Sequence, residues 1–156
     1  MKEICLTKGK IALVNDFDFE RLNQWKWYAD RIKNKVYAAR KNPKKIYMHR
    51  EILKVKNFQY VDHINGNGLD NRRENLRICT NSQNGQNRGK NKNNTSGFKG
   101  VCFHARTQTW IASIWVNRQR VHLGYFKGSI DAAIAYNEAA VKYHGKFAFL
   151  NEISVL

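Results

Sequence analysis

The sequence predicts an α+β protein of two small units, and three observations support this prediction. Short strand-like stretches broken by turn residues fill the first half of the chain. A polar segment rich in Asn, Lys and Gly follows, and beyond it three alternating stretches precede one helical pattern. The 156 residues suffice for one ordinary domain or two small ones. We therefore place the units at residues 1–84 and 97–156, joined by a basic flexible linker over residues 85–96.

The first unit is predicted to mix short strands with short helices. ICLTKGKIALVND indicates two strands around the turn at Lys8–Lys10, and DFDFERLNQ indicates a short helix capped by an aspartate. Further strands are predicted at residues 25–28, 36–40 and 46–48, followed by a helical turn at residues 49–54. Pro43 fits the turn between the last two of these strands.

The stretch VDHINGNGLDNRRENLRICTNSQNGQN, residues 61–87, closes the first unit. Its Asn and Gly residues are typical of turns. We predict a strand that ends at an Asp-His pair, a glycine-bearing loop, and a second strand at Leu76–Cys79. A helix of about two turns should follow, capped by Thr80 or Asn81.

The last third of the chain predicts a three-stranded antiparallel sheet packed on one helix. FKGVCFH, WIASIWV and RQRVHLGYF alternate and are separated by short turns. SIDAAIAYNEAAVKYHG has helical spacing, with Ser129 as the expected N-cap and Gly145 as the stop. Alternation divides the sheet into two faces. The face expected to meet the helix comprises Val101, Ala112, Ile114, Val116, Val121 and Leu123. The open face comprises Cys102, His104, Ile111, Ser113, Trp115, Arg120 and His122.

The charge of the chain points to a polyanionic partner. Twenty-eight Lys and Arg residues against twelve Asp and Glu give a formal net charge of +16, and residues 75–130 contain no acidic residue. Such a balance suits nucleic acid, and an open sheet face with Trp, His and Arg suits a binding platform for it. For the charge, the alternative is a merely soluble basic protein. For the open face, the alternative is that Trp115 packs against the N-terminal part.

Cysteine content and hydropathy point to the cytoplasm. The three cysteines are far apart and form no C-x-x-C, which indicates reduced thiols and disfavours a zinc site. Residues 1–10 are polar, so we expect no signal peptide, and no apolar run reaches membrane-spanning length.

The Asp-His stretch carries residues suited to phosphodiester hydrolysis. The carboxylate of Asp62 and the amide of Asn84 are hard oxygen ligands that fit Mg²⁺ or Mn²⁺. His63 has the intrinsic pKa of a general base. Taken singly, His63 could be structural, and Asn71 and Asn75 could be turn residues. Their order along the chain is more specific than any one of them.

The same stretch resembles the HNH nuclease motif of phage and intron-borne homing endonucleases, and the upstream LTKGKIALVND, WKWYA and YMHREIL resemble the region that precedes it. From Thr95 onward, TSGFKGVCFHARTQTWIASIWVNRQRVHLGYF and DAAIAYNEAAVKYHGKFAFLN resemble the plant ethylene-response-factor DNA-binding domain. The first resemblance implies a ββα-metal, or His-Me finger, nuclease fold for the first unit. The second implies a sheet that enters the major groove.

The HNH resemblance implies a role for each matching residue. Asp62 and Asn84 would ligate one Mg²⁺ or Mn²⁺ ion per active site, with Asn87 as the alternative to Asn84. His63 would be the general base, and Asn75 would brace the loop and orient His63.

Two further sets of HNH-region residues are open to more than one interpretation. Arg72 and Arg73 would grip the phosphate backbone, or else form a solvated surface loop. His49, next to Arg50, would have a structural or a phosphate-binding role.

The plant-domain resemblance implies base and backbone contacts from Trp115, Arg118 and Arg120. Cys102 and His104 replace the plant proteins' paired arginines on the first strand, and His122 replaces a tryptophan, so the plant target sequence does not transfer. Arg106 would restore one contact. The expected DNA-contacting residues are Arg72, Arg73, Arg88, Lys90, Lys92, Lys99, His104, Arg106, Trp115, Arg118, Arg120 and His122.

These resemblances together imply a metal-dependent HNH endonuclease acting on double-stranded DNA in a bacterial or phage-infected cell. We expect a monomer, with a dimer as the alternative, and no membrane association. A non-catalytic DNA-binding regulator and an RNA-binding or ribonuclease protein are the rival interpretations.

Overall fold

The computed structural model describes residues 1–153, and the chain divides into two compact units, Met1–Asn84 and Gly85–Leu156. Both units combine small antiparallel sheets with short helices, which confirms the α+β class. The strand predicted at residues 36–40 is one residue longer at each end, and the helical turn predicted at residues 49–54 begins and ends one residue earlier.

The first unit contains three separate antiparallel sheets. A hairpin pairs β1 with β2, a three-stranded sheet follows in the order β3-β4-β5, and a second hairpin pairs β6 with β7. The strands are β1 (Lys2–Cys5), β2 (Ile11–Val14), β3 (Tyr28–Ile32), β4 (Lys35–Lys41), β5 (Lys45–Tyr47), β6 (Tyr60–His63) and β7 (Leu76–Cys79). The helices are α1 (Asp16–Asn23) and α2 (Met48–Leu53), and α3 (Asn81–Gln86) begins in this unit and ends two residues past its boundary.

The core of the first unit is built from the inward residues of these short elements. Its buried members are Ile4, Leu6, Ala12, Val14, Leu22, Trp27, Ala38, Met48, Ile52 and Leu76. Trp27 is held in place because its indole N–H donates to the carbonyl of Leu22, 2.8 Å away. A buried tryptophan usually needs such a partner for its nitrogen.

Three local expectations for these elements were wrong. The predicted strand over residues 25–28 begins only at Tyr28, because Trp25 and Trp27 pack on the core from the preceding segment. The aspartate predicted to cap α1 is Asp16, which is instead the first helical residue and follows Asn15 in the cap position. Likewise Ser129 is the first helical residue of its helix, and Gly128 stands in the cap position.

The second unit is a three-stranded antiparallel sheet covered by one helix, as predicted. The strands β8 (Val101–His104), β9 (Thr109–Val116) and β10 (Gln119–Phe126) lie in the order β10-β9-β8, and α4 (Ser129–His144) packs on them. The alanines Ala132, Ala133 and Ala140 are fully buried, which lets the helix approach the sheet closely. The predicted apolar face is the one that contacts α4.

The register of β9 and β10 is interrupted between His122 and Gly124. Such a bulge adds one residue to a strand and shifts its alternation. Beyond it, Tyr125 pairs with Ile111 and is 61% exposed, whereas Phe126 packs into the core. The bulge therefore adds Tyr125 to the open face.

Candidate active site

Asp62 and His63 end strand β6, as predicted. Asp62 pairs with Arg77 of β7, and His63 pairs with Leu76. Successive side chains of a strand point to opposite faces, so the carboxylate and the imidazole diverge. Both residues are buried, each with 5% exposure.

The His63 imidazole lies in a pocket of aromatic rings and one amide. Its Nε2 is 3.4 Å from Oδ1 of Asn71, and its ring lies edge-on to that of His49, with centroids 5.0 Å apart. The Tyr37 ring is 5.9 Å away. Burial lowers the pKa of His63, and the Asn71 contact and the charge of Asp62 offset this only in part. The ring is thus held in its neutral form, which a general base requires.

His49 is buried beside the base and stacks on Tyr47, with 15° between the two planes. Burial, reinforced by the neighbouring titratable ring of His63 and by the positive charge of Arg50, lowers the pKa of His49 to about 3. Its Nδ1 is buried and has no hydrogen-bond partner. Of the two sequence interpretations, these contacts support a structural role in the wall of the His63 pocket.

Asn75 braces the loop between β6 and β7. Its Oδ1 accepts the N–H of Asn65, and its Nδ2 donates to Oδ1 of Asn65 and to the carbonyl of Asp70. Its own carbonyl accepts the N–H of Ile64. The side chain therefore joins both ends of the loop. Orientation of His63 by Asn75 stays a prediction.

Asn71 is the residue of this site that sequence reasoning missed, because its type and spacing are those of a turn residue. The main chain of its loop pairs with β2: Leu13 donates to the carbonyl of Leu69 and accepts the N–H of Asn71, at 2.9 and 2.8 Å. Asn71 is fully buried as a result. Only this contact between distant segments brings its amide to His63.

Arg72 and Arg73 form ion pairs within the first unit. Arg72 donates from Nε and Nη2 to the two oxygens of Asp70, at 2.8 and 2.7 Å. Arg73 binds Asp18 of α1 in the same two-pronged way, at 2.8 and 3.0 Å. The Arg72 hydrogen bonds lower the pKa of Asp70, so this carboxylate stays ionised. The Arg73–Asp18 pair clamps the loop to α1, whereas the Arg72–Asp70 pair lies within the loop. A phosphate would have to compete with these pairs for either arginine.

Asp62 already has a cationic partner. The guanidinium of Arg77 donates from Nε and Nη2 to Oδ2 of Asp62, at 2.9 and 2.6 Å. The Arg77 side chain is 13% exposed, so the pair is largely shielded from solvent. The Asp62 carboxylate is therefore already neutralised by a cation within the chain.

Helix α3 begins with a reciprocal cap that confirms Thr80 as the N-cap. The Thr80 hydroxyl accepts the N–H of Gln83 at 3.2 Å, and the Gln83 side chain accepts the N–H of Thr80 at 2.9 Å. The cap fixes where the helix starts and so places the half-buried Asn84 inside it, whereas Asn87 follows its last residue.

A carboxylate with amide oxygens is a donor set that suits Mg²⁺ or Mn²⁺. Within residues 1–153, no group of three or more His, Cys, Asp or Glu side chains is placed to hold a metal. The Asp62 and Asn84 pair includes only one such side chain, so its fit rests on donor chemistry. Donor chemistry does not distinguish Asn84 from Asn87 as the second metal ligand.

The open face of the second unit and its two strand-connecting turns carry half of the residues predicted to contact DNA. Trp115 is 64% exposed and pairs across the strands with Arg120, whose Nε donates to the Ser113 hydroxyl at 3.0 Å. His122 pairs with Ser113 and lies 4.7 Å from the Tyr125 ring. Arg118 lies in the β9–β10 turn with positive φ, and Arg106 is exposed in the β8–β9 turn. His104 bonds through Nδ1 to the Thr107 hydroxyl at 2.7 Å.

Tyr125 is the residue of this face that sequence reasoning missed. Strict alternation would have put Gly124 outward in its place. A glycine inside a strand is a signal for a bulge, and that signal was available in LGYF.

The basic residues of the predicted linker, and Lys99 just beyond it, differ in how they are held. Lys99 donates from Nζ to the carbonyls of Gln86 and Arg88, each at 2.6 Å, and burial lowers its pKa to about 8. Lys90 donates to the carbonyl of Gly97 at 2.9 Å. The side chains of Arg88 and Lys92 are exposed. A phosphate-contacting role fits Lys99 least, because its ammonium is occupied by main-chain carbonyls.

None of the helices within residues 1–153 is long and apolar enough to span a membrane.

Comparisons with known proteins match both parts of the chain. The HNH endonuclease family model matches residues 56–86, which include the whole Asp-His stretch as far as α3. An AP2-like ethylene-responsive transcription factor of Arabidopsis thaliana is 40% identical over 60 residues, or 38% of this chain. The chain spans only 12% to 14% of the length of such plant relatives. No solved structure matches.

Viral relatives match over more of their own length. Protein 3.8 of Escherichia phage T7 is 28% identical over 89 residues, 57% of this chain and 73% of that protein. An uncharacterized HNH endonuclease of Acanthamoeba polyphaga mimivirus is 30% identical over 152 residues, 94% of this chain and 77% of its own. The buried Asp-His pair and this extended similarity agree: the chain belongs to the HNH endonuclease family.

Proposed function

We propose that the protein is a homing-type, metal-dependent endonuclease that hydrolyses double-stranded DNA, working as a monomer in the cytoplasm of a bacterial or phage-infected cell. The observation that carries the proposal is the buried, neutral imidazole of His63 at a strand end beside the Asp62 carboxylate. The family membership supports nuclease chemistry at this pair.

In this mechanism His63 accepts the proton of a water molecule as that water attacks the phosphorus. The new O–P bond forms while the bond to the 3′ oxygen breaks, which leaves a 5′ phosphate and a 3′ hydroxyl. General-base help of this kind contributes roughly 10²- to 10⁴-fold. Asn71 and His49 hold the imidazole ring, and Asn75 holds the loop that carries Asn71.

Asp62 and Asn84 would hold one Mg²⁺ or Mn²⁺ ion in the first unit. The ion would supply positive charge against the charge that develops on the phosphate and the leaving oxygen. The first unit adopts the ββα-metal arrangement in this proposal, with β6, β7 and α3 as its parts.

The second unit would select the site. Its open face combines an exposed tryptophan, an exposed tyrosine and arginines at the edge of a sheet, which together suit contacts to bases and phosphates. The exposed side chains of Arg88 and Lys92 would add contacts to phosphates that do not depend on sequence.

The decisive experiment compares wild-type protein with His63→Ala on supercoiled plasmid, with Mg²⁺ and with EDTA. We expect both proteins to bind DNA equally in a filter or gel-shift assay, and only the wild type with Mg²⁺ to nick or cut it. Equal cleavage by both proteins would remove His63 from the reaction.

A non-catalytic DNA-binding regulator is the second candidate, and the similarity to plant transcription factors favours it. Binding without cleavage by the wild-type protein, across Mg²⁺ and Mn²⁺, would support it over the endonuclease.

A further inference from the structure

The Asp62–Arg77 pair is set by the architecture of the hairpin. The two residues are direct partners in the antiparallel register of β6 and β7, so their side chains lie on the same face. The guanidinium reaches one carboxylate oxygen with two donors, at 2.9 and 2.6 Å. Charge-assisted contacts this short are the strong class of hydrogen bond.

Because the pair is buried, it affects how any other cation can bind the Asp62 carboxylate. The Asp62 side chain is 5% exposed and that of Arg77 is 13% exposed. A buried carboxylate is costly without a positive partner, and arginine keeps its charge at any working pH. Two full positive charges at one carboxylate would also repel each other more strongly there than in water.

We propose that Arg77 competes with the divalent ion for the Asp62 carboxylate and thereby sets the metal affinity of the active site. This inference rests on the proposed function only in taking Asp62 as a metal ligand. Arg77 keeps the buried carboxylate neutralised, and a divalent ion binds Asp62 at the expense of the guanidinium contacts. Metal affinity is consequently weaker than the donor set alone would give.

The same unit offers a matched control. Arg40 is also a buried arginine, 12% exposed, and its Nε binds Oε2 of the 16%-exposed Glu51 at 2.8 Å. Neither residue of that pair belongs to the proposed metal site. Arg40→Gln and Arg77→Gln therefore each remove one arginine charge from a largely buried ion pair, and only the second should alter metal binding.

The test measures Mn²⁺ affinity of the full chain, stripped of metal with EDTA, from the electron paramagnetic resonance signal of free Mn²⁺. We expect Arg77→Gln to bind Mn²⁺ about tenfold more tightly than wild type or more, since a hydrogen bond to a charged group is worth about that factor. Arg77→Lys, which keeps the charge but loses the two-pronged contact, should fall between them. Arg40→Gln should match wild type. An affinity of Arg77→Gln equal to or weaker than that of Arg40→Gln overturns the inference.

Folding is followed by circular dichroism on the same samples, because Arg77→Gln leaves Asp62 without its partner. We expect its unfolding temperature without metal to be lower than that of wild type, and Mn²⁺ to raise it more than it raises that of Arg40→Gln. An equal or smaller rise contradicts the competition even if the variant is unfolded without metal.

The Asp62→Asn variant tests the proposed metal site separately from the competition by Arg77. If wild type and Asp62→Asn bind Mn²⁺ with the same affinity, Asp62 is no ligand and both proposals fall. If Asp62→Asn loses Mn²⁺ while Arg77→Gln gains nothing, only the competition is refuted.

Discussion

The ring of His49 lies edge-on against the ring of His63, with centroids 5.0 Å apart and planes inclined by 79°. Tyr47 stacks on the far side of His49, and the Tyr47 hydroxyl donates to Asp30 at 2.9 Å. The proposed base therefore rests on a wall of rings that continues to a hydrogen-bonded anchor on strand β3. Both histidines are buried in this cluster, and burial lowers the pKa of each.

The first prediction concerns acid stability. His49 has a pKa of about 3 in the folded protein and 6.5 when exposed, so between these values the unfolded chain binds a proton that the folded chain does not. The free energy of unfolding should then fall as pH drops from about 6.5 towards 3, by up to about 1.4 kcal/mol per pH unit for this group. Denaturant unfolding of wild type and His49→Phe across this range checks it. The variant should show a shallower decline, and identical slopes would contradict the burial of His49.

The second prediction separates the two asparagines of the loop. Asn71→Ala removes the amide beside His63 and should lower kcat by roughly 10- to 100-fold, as small errors in the position of a catalytic group do. Asn75→Ala breaks three side-chain hydrogen bonds across the loop. It should lower the free energy of unfolding by about 1–3 kcal/mol for each buried group left unsatisfied. Plasmid cleavage and thermal unfolding of both variants test this. A larger loss of stability in Asn71→Ala than in Asn75→Ala would reverse the assignment.

The third prediction compares two glycines with similar backbone angles. Gly100 has φ +78°, and a Cβ there would overlap the Tyr136 ring and lie 2.7 Å from the Ser113 carbonyl. Gly97 has φ +82° with nothing within 4 Å of such a Cβ. Gly97→Ala should cost only the backbone strain, about 1–2 kcal/mol. Gly100→Ala adds overpacking of about 1–3 kcal/mol to that strain. The thermal unfolding transition of the second unit distinguishes the two variants. Equal losses of stability would show that Tyr136 moves aside freely.

The fourth prediction concerns Tyr125, which the β-bulge adds to the open face. Tyr125→Ala should weaken DNA binding about tenfold, or about 1.4 kcal/mol, within the range of one aromatic contact to nucleic acid. The matched control is Tyr143→Ala on α4, which is 42% exposed and belongs to the helix that packs on the other face of the sheet. Gel-shift affinities should change for the first variant only. Equal effects would place the DNA elsewhere.

The fifth prediction separates two lysines that look alike in sequence. Lys92 is exposed, whereas the ammonium of Lys99 is bound to two main-chain carbonyls. Lys92→Gln should weaken DNA binding for all sequences and reduce the slope of log K against log salt by about 1. Lys99→Gln should leave that slope unchanged and lower the unfolding temperature. A reduced slope for Lys99→Gln would mean that its ammonium leaves the carbonyls to bind phosphate.

Much of the fold follows from local pattern. The three alternating stretches and the alanine-rich helix define the second unit because periods of 2 and 3.6 residues report which side chains face a core. The strand, loop, strand and helix of residues 61–87 follow from turn residues and the Thr80 cap. The errors lie at element ends, such as Ser129 and the strand before Tyr28, where propensity differences are smaller than tertiary packing energies.

Only part of the candidate site could be predicted from the local sequence pattern. The order of Asp62, His63, Asn75 and Asn84 along the chain predicts phosphodiester hydrolysis, because that reaction needs a general base and oxygen ligands for a metal. Asn71 was not identifiable, since its contact with His63 depends on pairing between its loop and β2, which is remote in sequence. Arg77 was likewise only one of many basic residues until strand register placed it opposite Asp62.

The sequence by itself determined the chemical types, the two-unit organisation that we predicted and the excess of positive charge, because these depend on composition and on neighbours along the chain. Only the folded structure shows which basic side chains are already bound to groups within the chain. The sequence does not distinguish these residues from the other basic ones. In the folded chain, four of them are bound to a carboxylate or to main-chain carbonyls: Arg72, Arg73, Arg77 and Lys99. The physical reason is that an ion pair depends on the distance between side chains, and residues such as Arg73 and Asp18 meet only when the loop folds onto α1.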